Sequence, residues 1–465
     1  MTSQFQAVRE EIRPMLRLAW PLVLAELGWS FMGIVDTMMV GRLPESAVAI
    51  GAVSLGNALG IAVGLFGGGL LLGLDTLVSQ AFGARRIADC HHSLLNAIYL
   101  GLAITLPLMG LLWASGWVLV WMQVDAAVLE LALPYINAIT WSMLPLLLYF
   151  AARRYLQAMD LVRPVAFALV TANVVNIFVN WLLIFGHWGF PAMGVEGSGW
   201  ATCISRAYMA VFLMVHIVRH DRRYGTGLWA VARRPDMVRI RELLRLGVPV
   251  AVMITLEVGV FSAATALAGK LGAVPLAAHQ VALHCASFAF MVPLGISSAA
   301  AVRVGQGIGR RDPPGATRAG WTAIALGMAF MSCSALLFWF APRLLARIFT
   351  PDPVVIGASV LLLAVAAMFQ LFDGIQVVAA GALRGAGETR IPMYSHLVMF
   401  WFVGLPVGYW LCFARNWGAV GLWVGLSIGL ILTGAVLLIT WHRRTQTFAA
   451  TAPRSSLSMR RELAE

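Results

Sequence analysis

Residues 21–43, PLVLAELGWSFMGIVDTMMVGRL, form the stretch that decides the fold. The stretch is long and apolar enough to cross a bilayer, whose hydrocarbon core of about 30 Å needs a helix of about 20 apolar residues. A second stretch, PVAVMITLEVGVFSAATALAGKL at 249–271, also begins with proline and ends with glycine, a basic residue and leucine. The pair predicts a membrane-spanning helix at the start of each of two related halves.

The rest of the chain repeats at a similar offset of about 227 residues. VSQAFGARR at 78–86 corresponds to VGQGIGRRD at 304–312, and the RP at 163–164 recurs as RIP at 390–392. Because each half holds an even number of predicted spans, the duplication is parallel, with a pseudo-two-fold axis along the membrane normal. Duplicated halves of this kind place a substrate cavity between them.

Composition and hydropathy predict an all-α polytopic membrane protein with twelve transmembrane helices in two pseudo-symmetric six-helix lobes. Only 12% of the residues are charged, against about 25% in soluble domains. The predicted spans are 16–40, 48–80, 93–116, 128–151, 164–186, 197–218, 243–268, 276–302, 318–340, 354–380, 393–414 and 418–441. They divide the chain into a cytoplasmic arm (1–15), an N-lobe (16–218), a cytoplasmic linker (219–242), a C-lobe (243–441) and a cytoplasmic tail (442–465).

The basic residues are distributed between the loops in a way that sets the orientation. A net charge of +12 is compatible with nucleic-acid binding, but the arginines lie in short loops between apolar stretches. With both termini in the cytoplasm, 27 of the 33 basic residues fall on the cytoplasmic side and 5 outside. Cytoplasmic loops carry such an excess, so we expect both termini inside. The five cysteines lack metal-site spacing, and we expect neither a disulfide framework nor a zinc site.

Acidic residues inside the predicted spans are the first candidates for function, because an ionised group at the bilayer centre costs about 2.5–3.5 kcal/mol. The only basic residue clearly inside a span is Arg206, so most of the acids lack an obvious fixed cationic partner. A mobile cation is then their natural counter-ion. The acids are Glu26, Asp36, Asp75, Glu257 and Asp373.

In the second half, Glu257 lies in the seventh span and Asp373 in the tenth. Gln370 and Gln376 flank Asp373 at three residues on either side, toward one side of the helix. A carboxylate with amide oxygens beside it suits a hard cation or a proton. The alternative is a buried carboxylate capped by amide and hydroxyl donors. Gln280, in the eighth span, is a further candidate for a supporting or a packing role.

In the first half, Asp36 lies in the outer half of the first span, and Asn176 and Asn180 lie one helical turn apart in the fifth. The two amides either support a cation site at Asp36 or only join helices. Asp75 precedes the cytoplasmic arginines by about ten residues, which favours helix packing or an inner gate. Glu26, near mid-span, either lines the cavity or makes a structural hydrogen bond.

Taken together, these stretches resemble the multidrug and toxic compound extrusion (MATE) family, of the bacterial NorM-like type. The resemblance covers residues 14–442 and includes LDTLVSQAFGARR, RPVAFALVTANVVNIFVNW and FDGIQVVAAGALRGAGETRIP. It implies two lobes around a V-shaped cavity and export driven by inward Na⁺ or H⁺ movement. It also implies that Asp36, with Asn176 and Asn180, and the acidic pair of Glu257 and Asp373 bind the coupling cation. If the coupling cation is Na⁺, the resemblance implies that Asp36, Glu257 or Asp373 binds it.

The sequence therefore predicts a secondary active multidrug efflux transporter of the bacterial inner membrane. We expect a monomer that exports organic, cationic compounds in exchange for Na⁺ or H⁺ by alternating access, with no cofactor and no nucleic-acid partner. A lipid-linked precursor flippase or a metabolite exporter of the same superfamily is the alternative among transporters. An intramembrane enzyme is disfavoured, since no HExxH motif is present and the GxSxG match at 425–429 lies inside the predicted helical span 418–441, without the strand-to-helix turn that this motif needs.

Overall fold

The computed structural model describes residues 2–451, and the side chains of residues 11–448. Over that range the chain forms helices and turns, with no β-strand. The helices of the first half are α1 (Thr2–Val40), α2 (Ser46–Leu71), α3 (Gly73–Gly83), α4 (Ile87–Trp121), α5 (Ala126–Trp141), α6 (Met143–Ala158), α7 (Arg163–Phe185) and α8 (Gly194–Tyr224).

The second half begins after a 3₁₀ turn at Leu228–Ala230. Its helices are α9 (Met237–Gly269), α10 (Ala273–Gly309), α11 (Pro313–Phe340), α12 (Pro342–Phe349), α13 (Pro353–Gly385), α14 (Arg390–His396), α15 (Leu405–Tyr409) and α16 (Gly418–Thr451). A π-helical stretch, Leu397–Gly404, joins α14 to α15, and a second, Trp410–Ala414, extends α15, so that Arg390–Ala414 is one continuous span.

Eleven helical stretches between residues 11 and 448 are long and apolar enough to cross a membrane. The bent pair α5 and α6, which meet at 44°, supplies a twelfth span. At this bend the Ser142 hydroxyl donates to the Ile139 carbonyl (2.5 Å) and accepts from Arg206 Nη1 (2.6 Å). A side chain that engages the helix backbone in this way is a recognised cause of a kink. The predicted all-α architecture of twelve spans is confirmed.

The ends of the chain extend the predicted spans. The predicted arm (1–15) is helical from Thr2 onward and continuous with the first span. The last span continues as helix to Thr451, through the start of the predicted tail. Met1 and residues 452–465 lie outside the described residues, and with them most of that tail.

Aspartates in the short loops start several of the spans. The carboxylates of Asp125, Asp236, Asp312 and Asp352 accept hydrogen bonds from backbone N–H groups in the first turns of α5, α9, α11 and α13. Such N-caps satisfy donors that have no partner inside the helix. They fix where the chain turns back into the membrane, and so the depth of each span.

The first span of each half packs on both halves. Near its start, Met15, Leu18 and Leu22 of α1 join the apolar core formed by α10, α11, α13 and α16. Further along, Met32 of the same helix packs in the core of the first half. In return, Leu243 near the start of α9 is buried in that first-half core. The two halves are therefore interlocked at the end of the molecule that is predicted to face the cytoplasm.

Glycines permit the close approach at this end. A Cβ on Gly69 of α2 would lie 2.6 Å from the Cα of Ala251 in α9, and one on Gly83 of α3 would lie 2.8 Å from the Cα of Gln306 in α10. Both distances are shorter than a real Cβ contact. Among side chains 11–446, every hydrogen bond or ion pair between the two halves also lies at this end. We call this region the inter-half contact.

Candidate cation sites in the two halves

The first candidate site surrounds Asp36 of α1, which is only 5% exposed. Asn180 Nδ2 of α7 donates to its Oδ1 at 2.6 Å, and Thr202 Oγ1 of α8 donates to its Oδ2 at 2.9 Å. Asn180 Nδ2 also lies 3.1 Å from the Asn176 Oδ1 acceptor. The structure thus brings the three residues named from the sequence together. The sequence analysis missed Thr202, because hydroxyl residues are common in membrane spans and none stands out by spacing.

Two polar atoms at this first site are buried without a hydrogen-bond partner: the acceptor Asn180 Oδ1 and the donor Asn176 Nδ2. Buried polar groups without a partner are costly. The free Asn180 oxygen is therefore available to a bound cation, whereas the free Asn176 donor is not. Carboxylate, amide and hydroxyl oxygens are suitable ligands for a hard cation. The residues present therefore fit a small cation, and the carboxylate alone fits a proton.

Arg206 lies one helical turn from Thr202 on α8 and is 3% exposed. Its guanidinium donates to Ser142 and lies 5.8 Å from the centre of the Trp29 ring, and its Nε has no hydrogen-bond partner. Among the described side chains, no carboxylate lies within 4.0 Å of it. With Trp29 and Phe150 it lines a cavity of about 10 Å³, about the size that holds one water. Arg206 is therefore a buried cation one helical turn along α8 from the first site, and it forms no ion pair with Asp36.

The second candidate site surrounds Glu257 of α9. Gln376 Nε2 of α13 donates to Glu257 Oε1 at 2.9 Å, and His396 Nε2 of α14 lies 3.8 Å from Oε2. Asp373, one turn before Gln376 on α13, is 7% exposed and has no hydrogen bond or ion pair among side chains 11–446. Asp373 and Glu257 are therefore two neighbouring carboxylates that form no ion pair with arginine or lysine among the described side chains, and the polar partners of Glu257 are one amide and one histidine.

The two glutamines that flank Asp373 point to different neighbours. Gln370 Nε2 donates to Ser334 Oγ of α11 at 2.8 Å, while Gln376 turns toward Glu257. Positions three residues before and after Asp373 lie about 120° apart around a helix of 3.6 residues per turn, so the two side chains face different neighbouring helices. The Oε1 atoms of both glutamines stay buried without a partner. Gln280 of α10 forms no hydrogen bond with Glu257 or Asp373.

His396 was not identified in the sequence analysis. Its Nδ1 lies 2.8 Å from the Pro392 carbonyl oxygen, which can only accept, so Nδ1 carries a hydrogen. The other ring nitrogen therefore faces Glu257. His396 is 1% exposed and lies in the predicted span 393–414. The criterion applied to the acids, an ionisable group inside a span, would have found it.

The other two acids have fixed cationic partners. Glu26 accepts a hydrogen bond from Arg153 in a buried ion pair, and Asp75 pairs with Arg384 (3.2 Å) and Arg154 (3.6 Å). The expectation that acids in the spans lack such partners is therefore wrong for Glu26 and Asp75. The arginines were assigned to cytoplasmic loops, but α6 continues past residue 151 to Ala158, and α13 past residue 380 to Gly385.

Asp75 lies in the inter-half contact. It is 1% exposed, and its partner Arg384 belongs to the other half. The Arg384 carbonyl accepts from Thr76 Oγ1 at 2.5 Å, and Arg303 of α10 pairs with Glu11 of α1 at 2.8 Å. This position fits the inner-gate alternative considered for Asp75.

A multi-pass bundle with buried carboxylates in each of two repeated halves defines a membrane transporter. The model of the family described as MatE matches the chain twice, over residues 21–182 and 249–410, so the matches begin at the two prolines that open the internal repeat. This chain belongs to the MatE family.

Curated relatives cover nearly the whole chain. The probable multidrug resistance protein NorM of Mesorhizobium japonicum is 40% identical over 451 residues, which is 94% of this chain and 94% of that protein. The multidrug resistance protein NorM of Vibrio vulnificus is 32% identical over 439 residues, 93% of this chain and 96% of that protein.

Solved structures show the same fold. The eukaryotic MATE transporter AtDTX14 matches with a TM-score of 0.85 at 21% identity, covering 96% of this chain and all of that one. A MATE family transporter of the MOP superfamily in an outward-facing conformation matches with a TM-score of 0.83 at 18% identity, covering 95% and 98%. The resemblance implied by the sequence stretches, and the MATE-like fold, are thereby confirmed.

Proposed function

We propose that this chain is a secondary active multidrug exporter, which moves organic cations out of the cell in exchange for Na⁺ or H⁺. The observation that carries the proposal is the presence in both halves of carboxylates in the membrane spans that form no ion pair with arginine or lysine: the buried Asp36 in one, and the partly buried Glu257 with the buried Asp373 in the other. Their counter-ion has to be mobile, and it can be either the coupling ion or the cationic drug. The relatives named above are multidrug resistance proteins, which supports the substrate class.

The same carboxylates give a mechanism for exchange. A carboxylate that holds Na⁺ or a proton has little attraction left for an organic cation, so the two ligands compete. Alternating access then carries each in its own direction. One charge crossing 100 mV supplies about 2.3 kcal/mol, which corresponds to a concentration ratio of roughly fifty. No further cofactor is needed for this mechanism.

In this proposal Asp36, Asn176, Asn180 and Thr202 bind the ion in the first half, and Glu257 and Asp373 bind it in the second. Glu26, in its ion pair with Arg153, has a structural role, and Asp75 a role in the inner gate. The chain is a monomer in the bacterial inner membrane with both termini in the cytoplasm, which the 27-to-5 distribution of basic residues supports. A C-terminal reporter enzyme active only in the periplasm would contradict that orientation.

The test is transport in proteoliposomes. A fluorescent organic cation such as ethidium is the probe, and a Na⁺ gradient and a pH gradient are imposed separately. We expect one of the two gradients to drive the probe against its concentration gradient, and the variant with Glu257→Gln and Asp373→Asn to be inactive under both. If neither gradient drives transport by the unmodified chain, the proposal is refuted.

A further inference from the structure

The linker between the halves, residues 219–242, is the most basic segment of the described chain. It holds seven arginines and three acids. A basic loop is expected from membrane topology alone, and such a loop is ordinarily flexible and its charges solvated. Two features of this linker differ from that expectation. Two of its acids bind the linker backbone instead of its arginines, and the backbone itself is hydrogen-bonded to α4.

Two of the three acids of the linker bind its own backbone. Asp221 is buried and accepts from Thr226 Oγ1 at 2.6 Å and from the Leu228 N–H at 2.9 Å. Asp236 caps α9 by accepting from the Val238 N–H at 2.9 Å. Only the third acid, Glu242, pairs with a linker arginine, Arg239, at 3.2 Å.

The linker backbone is held along α4. The Thr226 carbonyl accepts from His91 Nε2 at 3.1 Å, and the Asp236 N–H donates to Asn96 Oδ1 at 2.8 Å. The Arg233 carbonyl accepts from the Tyr99 hydroxyl. These bonds hold the linker at three points over eleven residues, so its side chains are presented from a fixed backbone.

Six linker arginines are exposed and have no carboxylate within 4.0 Å among the described side chains: Arg219, Arg222, Arg223, Arg233, Arg234 and Arg241. Apolar side chains are exposed among them, including Tyr224 (63%), Trp229 (58%) and Val238 (78%). Arg223 lies over the Tyr224 ring and Arg233 over the Trp229 ring, at 5.6 and 5.5 Å.

We propose that the linker is a binding surface for anionic phospholipids of the bilayer leaflet next to it. Guanidinium groups bind phosphate oxygens through paired N–H donors, and basic clusters beside a membrane span attract anionic headgroups. The linker joins two membrane-spanning helices, so it lies at the bilayer surface, where Trp and Tyr are preferred. Exposed apolar side chains among the arginines favour a lipid over a soluble polyanion, which offers them no apolar partner.

The experiment measures lipid binding by the purified full-length chain in detergent, with phosphatidylglycerol or phosphatidylcholine added. Native mass spectrometry counts the bound lipids and gives their affinities. We expect the chain to bind phosphatidylglycerol preferentially. Each arginine near the surface contributes about fivefold, so Arg222→Gln, Arg223→Gln, Arg233→Gln and Arg234→Gln together should reduce that affinity at least tenfold.

A matched control removes the same charge from the opposite face, through Arg42→Gln, Lys270→Gln, Arg343→Gln and Arg347→Gln, which are all exposed. This control should keep the preference for phosphatidylglycerol. The same four linker positions changed to Lys keep the charge, and with it the membrane topology, and should lose only part of the affinity. All variants should unfold at the parental temperature in lipid-free detergent, because the linker arginines replaced make no ion pair.

Three outcomes would overturn the proposal. In the first, the linker variant with four Arg→Gln changes binds phosphatidylglycerol as tightly as the parent does. In the second, the opposite-face control loses as much affinity for phosphatidylglycerol as the linker variant does. In the third, inorganic phosphate or heparin would displace the lipid at equal concentration from both the parent and a Trp229→Ala variant. That result would identify the linker as a site for soluble polyanions. None of these readouts depends on transport, so the proposal stands or falls separately from the proposed function.

Discussion

The inter-half contact includes one symmetric pair of hydrogen bonds, whereas the two cation sites have no such symmetry. The internal repeat aligns Gln80 with Gln306, and these two side chains make equivalent bonds across the halves. Gln80 Nε2 donates to the Gly385 carbonyl at 3.0 Å, and Gln306 Nε2 to the Ala158 carbonyl at 3.1 Å. Gly385 and Ala158 are the last residues of α13 and α6, where helix carbonyls lack internal partners.

The cation sites break the repeat. With Pro21 aligned to Pro249, Asp36 corresponds to Ala264, and Glu257 corresponds to Trp29. The carboxylates of the two halves therefore lie about two helical turns apart in depth. The paired glutamine bonds hold the two halves together in equivalent ways, whereas the different cation sites give each half its own ligand chemistry. The following predictions test this division, beginning with the largest effect.

The largest effect is expected at the second-half site. Glu257→Gln and Asp373→Asn should each abolish gradient-driven export, because they remove charge that nothing fixed nearby supplies. Protein abundance should stay near normal, since neither acid holds an ion pair with arginine. Transport of ethidium in proteoliposomes measures the effect, and Glu130→Gln, an exposed acid on α5, is the control. Transport at the parental rate in both variants would remove these acids from the coupling mechanism.

The next largest effect is expected at Asp75. Asp75→Asn leaves Arg384 and Arg154 buried without a counter-charge, and breaking a buried pair from one side costs about 3–5 kcal/mol. The inter-half contact should open, which spin labels on α3 and α13 would detect as a longer distance. The double variant with Arg384→Gln should recover much of the loss. A double variant as open as Asp75→Asn alone would show that the ion pair does not hold this contact.

At the first-half site a smaller effect is expected, in the coupling of ion and drug. Asp36→Asn should abolish the influence of Na⁺ and of pH on drug affinity, a coupling that is ordinarily about tenfold or more. Thr202→Val should cause a partial defect and Thr202→Ser none, because serine keeps the donor to Asp36. Asn176→Ala should also be partial. Drug affinity in detergent across pH and Na⁺ concentration is the measurement. An Asp36→Asn protein that responds like the parent would place coupling entirely in the second half.

Features that depend on local sequence signals were predicted, and features that depend on tertiary packing were not. Hydropathy and loop charge act locally, and they predicted the spans, whereas the grouping of Asp36 with Asn176 and Asn180 was implied by the family resemblance of the sequence. The ion pairs of Glu26 and Asp75 depend on helix ends that continue past the apolar stretch, where arginines remain buried by tertiary packing. The shared packing of α1 between both halves also escaped prediction, because hydropathy indicates that a helix spans the bilayer and not which helices it touches.

The smallest effect is expected at the symmetric glutamines, and it tests the symmetry itself. Gln80→Ala and Gln306→Ala each remove one hydrogen bond to a helix-terminal carbonyl, worth about 1 kcal/mol. Because the bonds are equivalent, the two variants should lower thermal stability in detergent by equal amounts, and their effects should add, since each bond has its own partners. Gln280→Ala, which removes a glutamine with no inter-half bond, is the control. If Gln306→Ala lowers thermal stability far more than Gln80→Ala does, the two hydrogen bonds are not equivalent. The bond from α10 to α6 then contributes most of the stability of the contact.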